Sequence, residues 1–258
     1  MNKTSALHSL LLSLILTVVA CTIAVVPGVV HSQVPVKILD DGNILLDDFS
    51  QDMVGSMPSK WYVRDGNVQL KDLSADVKTK YRYRVVEESG RKYLRYSGMT
   101  AMHIGLPIHE TSEIDLRTHP ILSWEWRVHA IPSGANEDVD KLNDTAASIY
   151  VVFEMSSILR IPKVIRYTWS SSLPKDTYLS KGRQKIVVKE TGTDRKGEWI
   201  RFERNIAEDY RNFFDGEPPN RPLAILILSD ANNTSSFAFA DYGPIYLKRK
   251  PSVMSGSK

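Results

Sequence analysis

Six side chains spread over four segments of this chain could together grip a polar ligand: Glu125, Arg127, Tyr150, Arg166, Arg201 and Glu203. Carboxylates accept hydrogen bonds from hydroxyls, and a guanidinium presents several donors in a fixed plane. Tyrosine adds an apolar ring face and a hydroxyl. Held on rigid strands, such a mixed set forms the wall of a binding groove; on a solvated sheet it makes only weak cross-strand ion pairs. Two of the six have a second use. Glu125 and Glu203 would serve as acid and base in glycan cleavage if their carboxyl groups stood roughly 5–9 Å apart, although no glycosidase motif surrounds either.

A second cluster offers hard oxygen atoms. Asp230, Asn232 and Asp241 are of the type that calcium takes, and Asp47 and Asp48 would join them if the two ends of the chain pair. The same residues suit a turn, because Asp and Asn side chains bond nearby backbone, and their spacing is not that of an EF-hand loop. No pattern requires a cofactor, and calcium is the one these residues admit. The run Asn136 to Asp140, with Asn143 and Asp144, reads as a solvated acidic loop. His103, His109, His119 and His129 lack metal-ligand spacing, and no nucleophile elbow, P-loop or dinucleotide glycine pattern occurs. Lys78, Lys80, Arg82 and Arg84 alternate with Thr79, Tyr81 and Tyr83 and read as a solvated strand edge.

Strands must carry these groups. In Leu122-Ser-Trp-Glu-Trp-Arg-Val128 the apolar residues fall on one face and Ser123, Glu125 and Arg127 on the other. Trp124 and Trp126 share a face with Leu122 and Val128, which makes them core rather than a sugar-stacking platform. Period-two segments recur at 44–49, 81–85, 92–96, 147–154, 164–170, 184–189, 199–205, 224–229 and 237–247, with a hairpin turn at Glu87 to Gly90. The segment 178–183 is left unassigned. Ala207 to Phe214 makes two helical turns with Tyr210 inward. This pattern predicts an all-β, jelly-roll-like β-sandwich with one short helix. If segments 122–128, 147–154, 163–170 and 199–205 lie in one sheet, alternation puts the six polar residues on a common side.

The first 32 residues are of another kind. Lys3 precedes an apolar run from Leu10 to Val26, then Pro27-Gly28, then Val30-His-Ser32, the order of a secretory signal cut before Gln33. An uncleaved anchor remains open because the run approaches the ~20 residues that span a bilayer. Lipidation at Cys21 remains open because Val18-Val-Ala-Cys21 resembles a lipobox. Removal of residues 1–32 takes away the only cysteine, so no internal disulfide can staple the remainder. It leaves 32 basic against 30 acidic side chains, a balance that gives no field for nucleic acid. One domain is expected over 33–250, with a disordered tail at 251–258. The expected setting is periplasmic or secreted, with membrane contact only through an uncleaved or lipidated leader.

Two resemblances extend this reading. Leu45-Leu-Asp-Asp-Phe49 and Ala240-Asp-Tyr-Gly-Pro-Ile-Tyr-Leu247 resemble the opening and closing strands of carbohydrate-binding-type jelly rolls. Leu122 to Val128, Asp144-Thr-Ala-Ala-Ser-Ile-Tyr-Val-Val-Phe153, Tyr167-Thr-Trp169, Arg204-Asn-Ile206, Ile227-Leu-Ser-Asp-Ala-Asn-Asn-Thr234 and Ala240-Asp-Tyr-Gly243 resemble the bacterial family catalogued as domain of unknown function 3047. That resemblance implies an exported, jelly-roll-like protein and supplies no catalytic residues. The expected role is binding, without transformation, of a carbohydrate or similar polar envelope ligand. The alternatives are a glycan-active enzyme using Glu125 and Glu203, or a structural protein whose partner is another envelope protein.

Intact-mass measurement after expression with the full leader should give a chain beginning at Gln33. A retained leader, or a lipidated species beginning at Cys21, would overturn that cleavage site.

Overall fold

The computed structural model describes residues 34–251 except 65, 67 and 157–160, so the expected signal and nearly all of the expected tail lie outside the described residues. Period-two alternation becomes strands along most of the chain. The elements are β1 (Lys37–Ile38), β2 (Ile44–Asp47), β3 (Tyr62–Val63), α1 (Ala75–Lys78), β4 (Tyr83–Glu88), β5 (Arg91–Gly98) and β6 (Ile104–Pro107). They continue with β7 (Ile121–Ala130), β8 (Thr145–Met155), β9 (Pro162–Ser170), β10 (Tyr178–Lys181) and β11 (Gln184–Thr191). The last are β12 (Ile200–Asn205), α2 (Ile206–Phe213), β13 (Ala224–Asp230) and β14 (Ala238–Lys248).

Among the described residues these strands form two seven-stranded sheets. In the first, β14 is flanked on one edge by β5 and then β2, and on the other by β7, with β12 beyond. The second runs β10–β11–β9–β8–β13–β6–β3, antiparallel except where β11 meets β9. From β5 to β8, and again from β11 to β14, the chain crosses from one sheet to the other at every strand. That is the wrapping of a jelly-roll-like sandwich, as the alternation predicts.

The sheets pack over a core in which Trp124 and Trp126 are 1% and 0% exposed, their rings edge-to-face at 5.5 Å. Burying a ring of this size contributes on the order of 4–6 kcal/mol at about 25 cal/mol per Å² of apolar surface. Tyr167 and Phe202 close around Trp124. The expected turn between β4 and β5 falls at Ser89 and Gly90, both at positive φ (52° and 76°), a backbone twist that suits a two-residue hairpin. Helix α2 matches its expected place, with Tyr210 buried.

Three readings change. The basic run is not one strand: Lys78 closes α1, and the ladder begins only at Tyr83. Asp76 and Thr79 bond locally there, Asp76 to Ser74 and Thr79 to the Asp76 carbonyl, and favour a helical turn over extended chain. The unassigned segment at 178–183 forms edge strand β10, turned back at Gly182. β3 and β6, too short to show a period, complete the far edge of the second sheet.

One irregularity in the second sheet reaches across the core. Between Leu228 and Asp230, β13 advances two residues while β8 advances three, from Ser148 back to Thr145. Ala146 and Ala147 therefore both face the core, a β-bulge opposite Ser229. Tyrosine hydroxyls from the first sheet serve the backbone this opens. Tyr242 Oη accepts from Ser148 N (3.3 Å), donates to the Leu228 carbonyl (2.9 Å) and meets Ser229 Oγ at 2.8 Å; Tyr83 Oη accepts from Ser229 N (3.1 Å). Burial holds both phenols well above their ordinary pKa, so they remain donors.

Replacing Tyr242 by Phe strands these buried groups, and urea denaturation should show a loss of about 1–3 kcal/mol. A loss below about 0.5 kcal/mol would mean that the core satisfies them some other way.

Candidate functional site

The six polar residues do not share a face. β7 and β12 belong to the first sheet and β8 and β9 to the second, so Glu125, Arg127, Arg201 and Glu203 lie on one outer surface of the sandwich and Tyr150 and Arg166 on the opposite one. Alternation gives each residue its correct side within its own strand. Which strands become neighbours is a property of the chain's wrapping, and the single-sheet arrangement is overturned.

On the first sheet the charges complete one another. Asp241, fully buried beneath its neighbours, receives Arg95 Nε at 2.7 Å and Arg127 Nε at 3.0 Å, and His129 Nε2 stands 2.7 Å away. Arg127 also donates to Glu88 and to Tyr93 Oη. Burial by itself would raise the Asp241 carboxyl; the bonds from Arg95, His129 and Arg127 outweigh it and hold the pKa below the usual carboxylate value. Glu125 is likewise lowered, because contacts from Arg201 (2.8 Å) and Arg91 outweigh its burial. The Trp199 ring lies between neighbouring guanidinium groups, with Arg91 at 4.3 Å and Arg127 at 4.8 Å. Gly243 makes room for this crossing: a Cβ there would sit 2.6 Å from Arg91 Nη2 and 3.1 Å from Glu125 Cβ.

This geometry corrects two expectations. Glu125 is held ionised by two arginines, and Glu203, one diagonal step away on β12, is bound by Lys248 and Ser123. Glu125 is thus lowered where a general acid needs a raised pKa, so the acid–base pair lacks its acid on this strand. The oxygen cluster for calcium does not assemble either. Asp241 points outward on the first sheet into its cations, whereas Asp230 and Asn232 sit at the end of β13 in the second. Asp47 is turned to Trp61 Nε1 and Lys60. Among the described residues no group of three or more His, Cys, Asp or Glu side chains is placed to hold a metal ion.

The second sheet's outer face is different. Tyr150 and Arg166 stand directly opposite on β8 and β9, with the guanidinium carbon 5.6 Å from the ring centre. Beside them lies a buried apolar strip of Val152, Val164, Ala224, Leu226 and Leu228. Arg166 is 2% exposed. Its Nε donates to Ser148 Oγ (3.0 Å) and its Nη1 to Asn143 Oδ1 (2.8 Å), both neutral acceptors. Its Nη2 is buried with no hydrogen-bond partner, and among the described residues no carboxylate lies within ion-pair distance. His103 packs edge-on against Tyr150 at 5.2 Å; desolvation, with Arg64 and Arg166 near, pushes its pKa down to about 3, so its ring is neutral.

Loop residues that periodicity could not place complete the cluster. The acidic loop is not solvated throughout: Glu137 and Asp144 are both fully buried. Glu137 accepts from Ser170 Oγ (2.5 Å) and Thr168 Oγ1 (3.5 Å), and Thr168 bonds onward to Ser148. Asp144 accepts from the backbone of Asn233 and Thr234 and from the Thr234 hydroxyl, which holds the turn after β13. Asp230 stands next to it. Burial and the neighbouring Asp144 push the Asp230 pKa up to about 7, against the hydrogen bond from Asn232 N and the charge of Arg166. A surface depression of about 370 Å³ along Lys37, Ile38, Leu39, Asp40 and Asp41 brings none of these groups together. The outward Val152, Val164, Leu226 and Leu228, which leave their strands apolar on both sides, were the signal in the sequence that this face is covered.

These features belong to a jelly-roll-like sandwich with a buried polar cluster on one sheet. The chain is a member of the family described as Protein of unknown function (DUF3047), whose model matches residues 61–246. No curated protein matches it. Among solved structures it is similar to the family 11 carbohydrate-binding module of the Clostridium thermocellum cellulase Lic26A-Cel5E, at 14% identity, 85% of this chain, 97% of that one and a TM-score of 0.38. It is similar to the CBM22-1–CBM22-2 tandem domain of Paenibacillus barcinonensis Xyn10C, at 11% identity, 88% of this chain, 49% of that one and a TM-score of 0.34. TmCBM61 in complex with β-1,4-galactotriose matches at 10% identity, 79% of this chain, 99% of that one and a TM-score of 0.33.

Asp230 generates a pH test. Its folded pKa of about 7 lies above the ordinary 3.8, so between these values the folded state keeps a proton that the unfolded state has released. Stability from this group is full below pH ~4, declines by up to about 1.4 kcal/mol per pH unit, and is gone above pH ~7. Asp230→Asn, which keeps a donor toward Asp144, should flatten that decline in denaturation series from pH 4 to 8. Identical slopes for variant and wild type would exclude a protonated Asp230.

Proposed function

We propose that the chain is an exported binding protein that holds a carbohydrate, or another polar ligand of the cell envelope, on the outer face of its second sheet without transforming it. The observation that carries this reading is Arg166: a buried guanidinium with an unused Nη2, set against an aromatic ring on a rigid strand pair. An unsatisfied buried donor costs a fold about 1–3 kcal/mol and more when charged, so its retention points to a use. A ring face beside a planar donor is suited to the apolar and hydroxyl sides of a sugar. The charges of the first sheet satisfy one another and need no ligand to explain them. Export is inferred from the leader and gives the ligand its setting.

A glycan-array screen identifies a ligand, and calorimetry then assigns the face. Arg166→Lys should weaken binding by about 1.5–3 kcal/mol, the range for a hydrogen bond to a charged group, and Tyr150→Ala should weaken it through the lost ring face, each with the melting transition retained. Arg201→Ala, on the opposite surface, should leave affinity unchanged. The reverse pattern would move the ligand to the first sheet.

A further inference from the structure

The charge state of this cluster specifies more than a polar ligand. Arg166 has five N–H donors, of which two are taken, both by uncharged oxygens. Among the described residues, the acids near it are committed elsewhere. Asp144 is occupied by the turn at Asn233 and Thr234, and Glu137 by Ser170 and Thr168. Asp230 shares its site with Asp144 and accepts from Asn232 N. His103, on the other side of Tyr150, is neutral. Among the described residues this cation, held out of water, has no anion in contact, an arrangement that a fold tolerates poorly unless a partner supplies the charge.

We infer that the group meeting Arg166 is a carboxylate carried by the ligand, so that the site selects acidic, uronate-containing glycans over neutral ones. This rests on the binding reading above and narrows it. Nη2 keeps both its N–H groups free and Nη1 binds the Asn143 amide oxygen, so displacing that oxygen opens an end-on, two-oxygen grip of a carboxylate. Asn143 marks the approach. It is half-buried at the end of the turn Asp140–Leu142, and its amide oxygen is the neutral acceptor that an incoming carboxylate displaces from Nη1. The Tyr150 ring lies beside the guanidinium, where the body of the sugar would rest.

The test uses the purified protein and a panel of uronate-containing oligosaccharides, each beside its carboxyl-reduced counterpart, followed by calorimetry. The acidic form should bind at least about tenfold tighter. Asn143→Asp places a carboxylate of the protein's own against Arg166; it should raise the melting temperature and abolish that preference. Equal affinity for acidic and reduced forms would overturn the acidic assignment and leave glycan binding standing. Undiminished preference in Asn143→Asp would overturn the placement at Arg166. Binding of neither form, with no other glycan retained on the array, would remove the binding reading itself.

Discussion

The bulge opposite Ser229 is the constraint from which most of this architecture follows. Two alanines of β8 face inward where regular alternation allows one. The extra residue disturbs the ladder within the core, where an unpaired amide or carbonyl costs about as much as a lost hydrogen bond. Tyr83 from β4 and Tyr242 from β14 cross from the other sheet to meet those groups. The two sheets are therefore joined by directional bonds as well as by apolar contact, which sets how they sit over each other. The same bulge places Thr145 and Ser148 on the outer face with only the alanines between them. There Ser148 can hold Arg166 while its own backbone N–H is held by Tyr242. The position of the guanidinium is thus tied, through one residue, to the centre of the fold.

The two outer faces show what strand alternation does with charge. On the first sheet Asp241 is fully buried, yet Arg95, Arg127 and His129 surround it, and the next carboxylate, Glu125, is clasped by Arg91 and Arg201. Each ion is close to an opposite one, so desolvation is offset locally, and the net worth of the network is small compared with the penalty for breaking it. Gly243 is the backbone's concession to that network, since any side chain would occupy the Arg91–Glu125 crossing. On the second sheet the surroundings of Arg166 are just as dry, but its contacts are hydroxyl and amide oxygens. Among the described residues, each ion of the first face meets an opposite charge, whereas Arg166 on the second meets neutral oxygens alone.

The sequence exposed strands and sides well, and neighbours badly. Leu122 to Val128 alternates so cleanly that the inward tryptophans and outward Glu125 and Arg127 follow from side-chain volume and polarity alone. Tyr150 and Arg166 were placed on their correct side for the same reason, and their pairing across β8 and β9 agrees with it. Joining them with Glu125 and Arg201 failed because alternation has no memory of which sheet a strand enters. The loop contributions were unreadable for another reason. Glu137 and Asp144 look like surface acids in a run of Asn and Asp, and only the tertiary route of that loop buries them against Ser170 and Thr234. The doubled alanine at Ala146-Ala147 was a readable sign of the bulge, since counting back from Phe153 by twos breaks there.

The proposed recognition groups stand on strands and the groups that cover them on loops, which divides rigidity from access. Arg166, Tyr150 and Ser148 belong to the central strands of a seven-stranded sheet, where their geometry is held by two ladders each. Asn143, Glu137 and His103 come from connections, the parts of a structure that open at the lowest free energy. A ligand of the proposed kind would gain entry by displacing loop contacts such as Asn143 to Arg166 without disturbing the strands that orient the guanidinium. The exchanged bond is a neutral one, which is the weaker kind, and a charged acceptor that replaces it gains more than the loop loses. On the proposed reading, that asymmetry is what would let a buried cation stay covered in the free protein and still yield to a ligand bearing the opposite charge.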